Sequence, residues 1–300
     1  MISIRGVARA VVVAAMVLYG DVRLFADTVY VSDFLSNTIV KFTPGGVGSV
    51  FASTDLTAPT GLAFDSAGNL YAANYSYGRI VKFTSGGVGS VFADNAGLNG
   101  PQGMAFDSTG NLYVSHYGTD NLSGQIVKFT PGGVGSVFAS GLSSPYGLAF
   151  DSAGNLYAAN ADSNTIVKFT PGGVGSVFAS SGLNGPTGLA FDSEDNLYAA
   201  NFYGKTIVKF TPSGVGSVFA SLNNPIMGLA FDSAGNLYAA NWAGNGAIVK
   251  FTPGGVGSVF ANMGGTPAFI AAVPEPATLS LLVLGGLLAL RRCRRWPIRP

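Results

Sequence analysis

Six polar residues recur at equivalent places in this sequence, each at the end of a short apolar run that contains a tyrosine. They are one aspartate, four asparagines and the only histidine of the chain: Asp33, Asn74, His116, Asn160, Asn201 and Asn241. The next residue is aromatic in five of the six cases: Phe34, Tyr75, Tyr117, Phe202 and Trp242, with Ala161 as the exception. Amides beside aromatic faces can bind sugars by hydrogen bonding and stacking. These residues are therefore candidates for a ligand-binding ring.

Other interpretations of the same residues stay open. Asparagine and aspartate at the end of a strand commonly bond to the backbone of the following loop, and the aromatic residues can pack between structural units. A lone histidine such as His116 is usually structural, although a metal-dependent hydrolase could use it. The loop after His116 is longer than its equivalents, and Asp120 and Asn121 within it are the asymmetric candidates for binding.

Lysines also recur at a fixed place in the repeat, in the motif VKFT. They are Lys41, Lys82, Lys128, Lys168, Lys209 and Lys250. As a ring they could hold an anionic polysaccharide. The alternative is that each lysine lays its alkyl chain along the edge of a sheet and keeps its ammonium in water.

The elements that position these residues are internal repeats. The motif NLY begins at residues 69, 111, 155, 196 and 236, and VKFT occurs six times. A period near 41 with several strand-like runs is typical of a β-propeller. Each repeat has four such runs, joined by turns rich in Gly, Asn, Asp and Ser, for example DSAGN at 65–69. The leading aspartate of that turn is expected to accept bonds from the turn backbone.

The strand count predicts how the ring closes. The first unit begins at Thr28–Asp33, which matches the second strand of the later units, and Thr266–Ala272 resembles a first strand. One blade would therefore combine three N-terminal strands with one C-terminal strand, which removes an open edge. We expect an all-β, six-bladed propeller of four-stranded antiparallel blades over residues 27–272, with short helical segments at both chain ends.

The two ends predict export. Residues 1–26 have a basic start and an apolar run of eleven residues, as in a signal peptide; the alternative is an uncleaved anchor. The C-terminal region, 273–300, begins with Val273, Pro274, Glu275 and Pro276, continues with an apolar stretch at 277–290 and ends in arginines. Fourteen helical residues reach about 21 Å, which is short of a ~30 Å membrane core. Transient insertion into the inner membrane is expected, with an ordinary C-terminal anchor as the alternative.

The composition argues against some classes of function. Residues 27–272 carry 8 basic and 13 acidic side chains, a net charge of −5, which argues against nucleic acid as a partner. The only cysteine, Cys293, lies in the tail. The sequence contains no catalytic triad, metal-ligand spacing or phosphate-binding loop, so no cofactor and no metal is predicted.

Two families resemble parts of this chain. The pattern DFLSNTIV at 33–40 and its repeats resemble the NHL-repeat propellers, which implies extracytoplasmic sensors, scaffolds and binding modules, with a minority of enzymes. The VPEP motif, the short apolar segment and the arginine-rich end are similar to the PEP-CTERM sorting signal of Gram-negative bacteria. That resemblance implies recognition by an exosortase, cleavage near Pro274–Pro276, and delivery to the cell surface or an exopolysaccharide matrix.

Some related propellers are enzymes, and the sequence departs from them. Gluconolactonase-like propellers place acidic metal ligands partly just before the glycine that opens the first strand. The equivalent residues here are Thr60, Gln102, Tyr146, Thr187 and Met227, none of which is acidic. Streptogramin-lyase-like propellers rely on more than one histidine. We therefore expect a non-enzymatic surface or matrix binding module, with exopolysaccharide as its candidate ligand; the alternative is a metal-dependent hydrolase or lactonase with its site near His116.

Overall fold

A computed structural model describes residues 27–94, 97–117 and 124–273 of the chain. Within them lie 24 strands, arranged as six antiparallel four-stranded sheets in the unit Asp27–Val273. The predicted six-bladed propeller is therefore confirmed. The predicted signal peptide and the helical segments expected at the chain ends lie outside the described residues. No helix in the described ranges is long and apolar enough to span a membrane.

The first three blades each run from an inner strand outward. Blade one contains β24 (Pro267–Val273), β1 (Thr28–Asp33), β2 (Thr38–Phe42) and β3 (Gly48–Ala52). Blade two contains β4 (Pro59–Phe64), β5 (Leu70–Asn74), β6 (Arg79–Phe83) and β7 (Gly89–Ala93), with a short 3-10 helix at Tyr75–Tyr77. Blade three contains β8 (Met104–Phe106), β9 (Leu112–His116), β10 (Gly124–Phe129) and β11 (Gly135–Leu142).

The other three blades repeat the same order. Blade four contains β12 (Pro145–Phe150), β13 (Leu156–Asn160), β14 (Thr165–Phe169) and β15 (Gly175–Ala179). Blade five contains β16 (Pro186–Phe191), β17 (Leu197–Asn201), β18 (Thr206–Phe210) and β19 (Gly216–Ser221). Blade six contains β20 (Ile226–Phe231), β21 (Leu237–Asn241), β22 (Ala247–Phe251) and β23 (Gly257–Asn262).

The DSAGN turns adopt the conformation that their residues predict. Gly68 has a φ of 80°, in the left-handed region that glycine enters without a steric penalty. Asp195 replaces glycine in the fourth copy and reaches the same region at 58°. The Asp65 carboxylate accepts hydrogen bonds from the backbone N–H groups of Ala67 and Asn69 at 3.0 and 2.8 Å. The turn is therefore stabilised by its own first residue, as the sequence indicates.

The chain ends close the ring as predicted. The strand β24 pairs with β1 in antiparallel register, with Thr28 opposite Val273 and Asp33 opposite Pro267. This strand extends to Val273, one residue beyond the expected boundary, so the first residue of the VPEP motif belongs to the propeller. Because β24 pairs with it, β1 is not left as the inner edge of blade one.

Aromatic side chains join each blade to the next. The Tyr71 ring of blade two lies edge-on to Phe92 of its own blade at 5.0 Å and to Phe106 of blade three at 4.9 Å. Equivalent tyrosines make the same paired contacts at the interfaces after blades one, three, four and five. Edge-to-face pairs of this kind each contribute about 0.5–1.5 kcal/mol beyond area burial. The apolar faces on both sides of most strands are thus buried between blades.

The inner strands approach each other closely around the axis. The backbone N–H of Gly61 donates to the carbonyl oxygen of Gln102, in the next blade, at 2.7 Å. A Cβ added to Gly147 would lie 2.3 Å from the carbonyl oxygen of Thr187. Five blades have glycine at this position, whereas blade one has Phe269. Glycine is therefore required wherever two inner strands meet backbone to backbone.

This crowding predicts a large destabilisation for Gly147→Ala. The new methyl group would meet a backbone carbonyl that cannot move without shifting the neighbouring blade, so we expect a loss of about 3 kcal/mol or more in the free energy of unfolding. The matched control is Gly132→Ala, where the nearest atom is 3.9 Å away in an exposed turn. That control should change the free energy by less than about 0.5 kcal/mol. Urea unfolding of both variants would disprove the crowding argument if their midpoints were equal.

Candidate functional site

The ring of strand-end residues is buried and bonds to the loops. Asn74 is 1% exposed; its Oδ1 accepts from the backbone N–H of Thr57 at 3.1 Å, and its Nδ2 donates to the carbonyl of Asp55 at 2.6 Å. Asn201 makes the same two contacts, with the N–H of Asn184 at 3.1 Å and the carbonyl of Gly182 at 2.9 Å. These amides therefore hold the loop that arrives from the preceding blade.

Asp33 and His116 play the same part in their blades. Asp33 accepts from the backbone N–H groups of Thr266 at 3.1 Å and Ser36 at 3.2 Å, which ties the N-terminal strand to the C-terminal loop. The Nδ1 atom of the fully buried His116 accepts from the N–H of Asn99 at 3.3 Å. Burial lowers the pKa of His116, so the ring is neutral at physiological pH. The structure gives both residues a capping role.

The two remaining asparagines lack that partner. The Oδ1 atoms of Asn160 and Asn241 are buried, and no described residue donates a hydrogen bond to them. Their preceding loops are shorter: two residues separate β11 from β12, and four separate β19 from β20, against six between β3 and β4. These loops bring no described backbone N–H within hydrogen-bond distance of either Oδ1 atom. Asn160 and Asn241 are thus the unsatisfied members of the predicted ring.

The aromatic residues next to the ring face the propeller axis and form a cup. This cavity has a volume of about 290 Å³ and is lined by residues of all blades: Phe34, Thr60, Tyr75, Gln102, Tyr117, Tyr146, Ala161, Asp162, Gly185, Thr187, Phe202, Tyr203, Met227 and Trp242. The predicted aromatic residues Tyr75, Tyr117, Phe202 and Trp242 are therefore brought together. The six polar residues of the predicted ring are not among the lining residues.

The cup wall is a chain of edge-to-face and tilted aromatic contacts. The Phe34 ring lies 5.4 Å from Trp242 and 5.8 Å from Tyr75, and Tyr75 lies 6.2 Å from Tyr117. The hydroxyls of Tyr117 and Tyr146 are hydrogen bonded at 2.5 Å. Burial raises the pKa of both tyrosines, so both hydroxyls stay protonated at neutral pH. The wall is therefore uncharged and rigid, because each ring is held by its neighbours.

An apolar cluster forms the floor of the cup. Met227, Ala268 and Phe269 are buried together, and Phe34 and Trp242 are among the side chains that pack against them. Phe269 thus fills space at the axis that the five equivalent glycines leave open. Met227, Phe34 and Trp242 belong both to this cluster and to the cup lining.

Polar atoms at the floor differ in how they are satisfied. The hydroxyl of Thr60 donates to the carbonyl of Pro101 at 2.7 Å, and that of Thr187 donates to the carbonyl of Ile226 at 2.9 Å. Gln102 is 3% exposed, and its Oε1 has no hydrogen-bond partner among the described residues. A buried acceptor without a donor costs free energy unless a ligand or water supplies one. Gln102 Oε1 is therefore an unsatisfied acceptor in a residue that lines the cup.

One side chain among the described lining residues carries a charge. Asp162 lies at the exposed rim, in the loop after β13, and accepts a hydrogen bond from the Ser144 hydroxyl. The other acidic candidate, Asp120, and its neighbour Asn121 lie outside the described residues. Their contribution to binding stays a prediction.

The cup residues that were not selected from sequence as binding residues include Gln102, Tyr146, Asp162 and Tyr203. Gln102 and Tyr146 precede the glycine that opens the inner strand, a position that sequence comparison identified only as a place for metal ligands. Asp162 and Tyr203 come two residues after the end of β13 and β17. Their position in the repeat could have identified them from sequence, because all four lie next to the cup-facing end of an inner or second strand.

The recurrent lysines are engaged away from the cup. The Lys82 ammonium lies 3.3 Å from the Asp65 carboxylate and 5.1 Å from the centre of the Tyr71 ring. Four further blades repeat both contacts, and Lys41 of blade one lies over Tyr30 at 5.7 Å. The hydrogen bond with Tyr71 and the contact with Asp65 raise the pKa of Lys82. The geometry therefore favours the interpretation that each lysine lies along the edge of its sheet, rather than the interpretation that the lysines form a ring that binds an anionic polysaccharide.

The described residues contain no group of three or more His, Cys, Asp or Glu side chains that could hold a metal ion. The residues before the inner-strand glycines lie at the cup, as expected from their place in the repeat. They supply a threonine hydroxyl, an amide, a phenol, a second threonine and a thioether. A hard divalent cation prefers carboxylate oxygen, which this set does not provide.

Comparison with known proteins concerns the tail and the fold separately. Residues 272–295 match the PEP-CTERM protein-sorting motif. No curated protein matches the sequence. The matched motif marks the chain as an exported protein, and its first two residues, Ala272 and Val273, also end β24.

Several solved structures share the fold at low sequence identity. A chain of the nidogen/laminin complex superposes with a TM-score of 0.73 at 20% identity, covering 82% of this chain and 98% of that one. Virginiamycin B lyase from Staphylococcus aureus with quinupristin gives 0.60 at 18%, covering 85% and 94%. A gluconolactonase from Xanthomonas campestris gives 0.61 at 18%, covering 73% and 83%. At these identities the likeness shows the propeller fold alone.

The carboxylates of the repeated turns predict acid sensitivity. Burial acts to raise the pKa of Asp151, but hydrogen bonds from Asn155 and the contact with Lys168 outweigh it and leave the pKa below its usual range. Asp65, Asp107 and Asp192 are shifted in the same direction. Because the pKa is lower in the folded state, the carboxylates stabilise the fold above their unfolded value of about 3.9, and this stabilisation is lost as the pH falls through the folded values.

We therefore expect the urea midpoint to be level from neutral pH to about pH 5 and to fall below about pH 4. Asp151→Asn should lower the midpoint at neutral pH and flatten the acid decline. Asp55→Asn, in an exposed loop on the cup side, should leave the decline unchanged. An identical pH profile in Asp151→Asn and the unmodified protein would refute this assignment.

Proposed function

We propose that the protein is an exported, non-catalytic binding module whose ligand sits in the aromatic cup at the propeller axis. The ligand class is a saccharide unit of an exopolysaccharide, at the cell surface or in the extracellular matrix. The observation that carries the proposal is the cup itself, where seven aromatic side chains surround one concave site. Concave, mostly apolar sites with a few placed polar groups are the usual locations of small-ligand binding.

The size and chemistry of the cup support a ring-sized ligand. A volume of about 290 Å³ is at the small end of ligand pockets, so one sugar residue fits better than a long segment. Aromatic faces stack on the apolar face of a sugar, and Gln102 and Asp162 offer acceptors for its hydroxyl groups. The wall is pre-organised by contacts between the rings, which reduces the entropy lost on binding.

The alternative, a metal-dependent hydrolase or lactonase near His116, is less well supported. The imidazole is fully buried, accepts a bond from the backbone of Asn99, and lies outside the cup lining. The described residues hold no carboxylate cluster for a metal. A hydrolase would need unlike catalytic groups at one point, whereas the polar ring is spread over six blades and serves the loops.

The proposed route to that location follows from the tail. An exosortase-type enzyme would recognise the motif that starts at Val273, while residues 277–290 insert transiently into the inner membrane and the arginines remain cytoplasmic. Cleavage near Pro274–Pro276 would then release the propeller to the surface or the matrix. Retention of the tail as a permanent anchor is the competing outcome.

The binding proposal is tested with the full-length protein on a glycan array, followed by titration of the best-bound oligosaccharide. Trp242→Ala and Tyr75→Ala each remove a cup face and should weaken binding about tenfold, the equivalent of about 1.4 kcal/mol. Tyr77→Ala is the matched control, because Tyr77 is 65% exposed and does not line the cup. Absence of any glycan ligand, or equal effects of Tyr75→Ala and Tyr77→Ala, would reject the proposal.

The sorting proposal is tested by intact mass and cell fractionation with and without an exosortase. With the enzyme, the mass should fall by that of the region after Pro274–Pro276, and the protein should leave the membrane fraction. Pro276→Ala should block both changes, and Ile298→Ala, outside the matched residues 272–295, should block neither. A tail that keeps its full mass in the presence of the enzyme would favour a permanent anchor.

A further inference from the structure

The cup has an electrostatic character that neutral sugar binding does not require. Of the fourteen described residues that line it, Asp162 carries a charge, and none is lysine, arginine or histidine. The nearest basic residue along the chain to a lining position is Lys205, two residues beyond Tyr203 and outside the lining. Arg79, on the same side of the ring, is paired with Asp94 at 2.8 Å. The cup therefore offers one negative charge without a cation beside it in the lining.

The polar atom at the floor is an acceptor that needs a donor. Gln102 Oε1 is buried and has no hydrogen-bond partner among the described residues. The two threonine hydroxyls at the floor already donate to backbone carbonyls. A ligand group that donates hydrogen bonds and brings no acceptor would satisfy Gln102 without competing for a donor.

The aromatic wall favours a cation for a separate reason. The face of an aromatic ring is negative, so a cation within about 6 Å of the ring centre is attracted, most strongly by tryptophan. Six lysines of this same chain lie over tyrosine rings at 5.0–5.7 Å. Trp242, Tyr75 and Phe34 line the cup from three blades, so a cation in the cup would have several aromatic rings around it.

We infer that the aromatic cup binds an ammonium group, carried by an amino-sugar residue of the polysaccharide ligand. This inference rests on the binding function proposed above and specifies its ligand. An ammonium group is positive and is a donor only, so it suits a cup that has the Asp162 carboxylate at its rim, the Gln102 oxygen at its floor and aromatic rings in its wall. An anionic sugar would be repelled by Asp162. A neutral sugar would stack on the rings but would gain neither the charge contact nor the cation–π attraction.

The test compares oligomers that differ only at the amine. The full-length protein carries Trp296→Phe, so that Trp242 is its sole indole. Its fluorescence and heat of binding are followed during titration with glucosamine, N-acetylglucosamine and glucose oligomers of equal length. We expect the glucosamine oligomer to bind about tenfold more tightly than the other two, since several cation–π contacts are gained. Added salt should weaken only the glucosamine complex.

Two variants test whether the Asp162 carboxylate is the negative charge that binds the ammonium group. Asp162→Asn keeps the shape and removes the carboxylate, and should weaken glucosamine binding about twofold to fivefold while leaving the N-acetylated oligomer unaffected. The matched control is Asp55→Asn, which removes the same charge from an exposed loop on the same side of the ring, outside the cup lining. Thermal melting of both variants shows that the fold is retained.

The outcomes separate this inference from the proposed function. Equal affinity for the three oligomers, or equal effects of Asp162→Asn and Asp55→Asn, overturns the ammonium assignment and leaves saccharide binding intact. Failure of all three oligomers to bind overturns both. Tetramethylammonium chloride is the remaining probe. If it binds and no oligomer does, the cup is a cation site whose natural ligand is not a sugar. That result overturns the amino-sugar assignment.

Discussion

The close approach of six inner strands at one axis is the constraint on which the rest of the propeller depends. Gly147 and its equivalents allow backbone N–H and carbonyl groups of adjacent blades to meet, and a methyl group at Gly147 would collide with Thr187. This contact sets the radius of the ring, and the radius sets the width of the cup above it. Blade one, where the chain ends meet, has Phe269 instead, and its side chain packs with Met227, which lines the cup.

The polar residues of each repeat mostly serve the architecture. Asp65 binds its own turn, Lys82 and Tyr71 bind Asp65, and Asn74 holds the incoming loop. Because these groups satisfy one another, the Asp–Lys–Tyr arrangement recurs in five blades, while blade one has the contact of Lys41 with Tyr30. The blades differ from one another mainly in the residues that face the axis, because those residues do not take part in the contacts that recur from repeat to repeat. That separation is why a uniform ring carries one asymmetric cup.

Much of the fold could be predicted from the sequence, because turn residues, strand periodicity and unit spacing are local properties. Thr28–Asp33 matched a second strand, and this was enough to predict the closure by the C-terminal strand. The candidate site was predicted only in part. Periodicity places Asn74 and Tyr75 at a strand end, but it does not say which of the two turns toward the axis. Gln102, Tyr146 and Asp162 join Tyr75 through contacts between blades, which no single repeat encodes.

The antiparallel pairing of β24 with β1 also fixes where the chain leaves the ring. Pro267 lies opposite Asp33, at the end that leads into the cup, and Val273 lies opposite Thr28, six residues farther along the strand. At about 3.3 Å per residue that separation is about 20 Å, the depth of a blade. Val273, where the described chain ends, therefore lies on the side of the propeller away from the cup, so the cup and the start of the sorting motif occupy opposite sides of blade one.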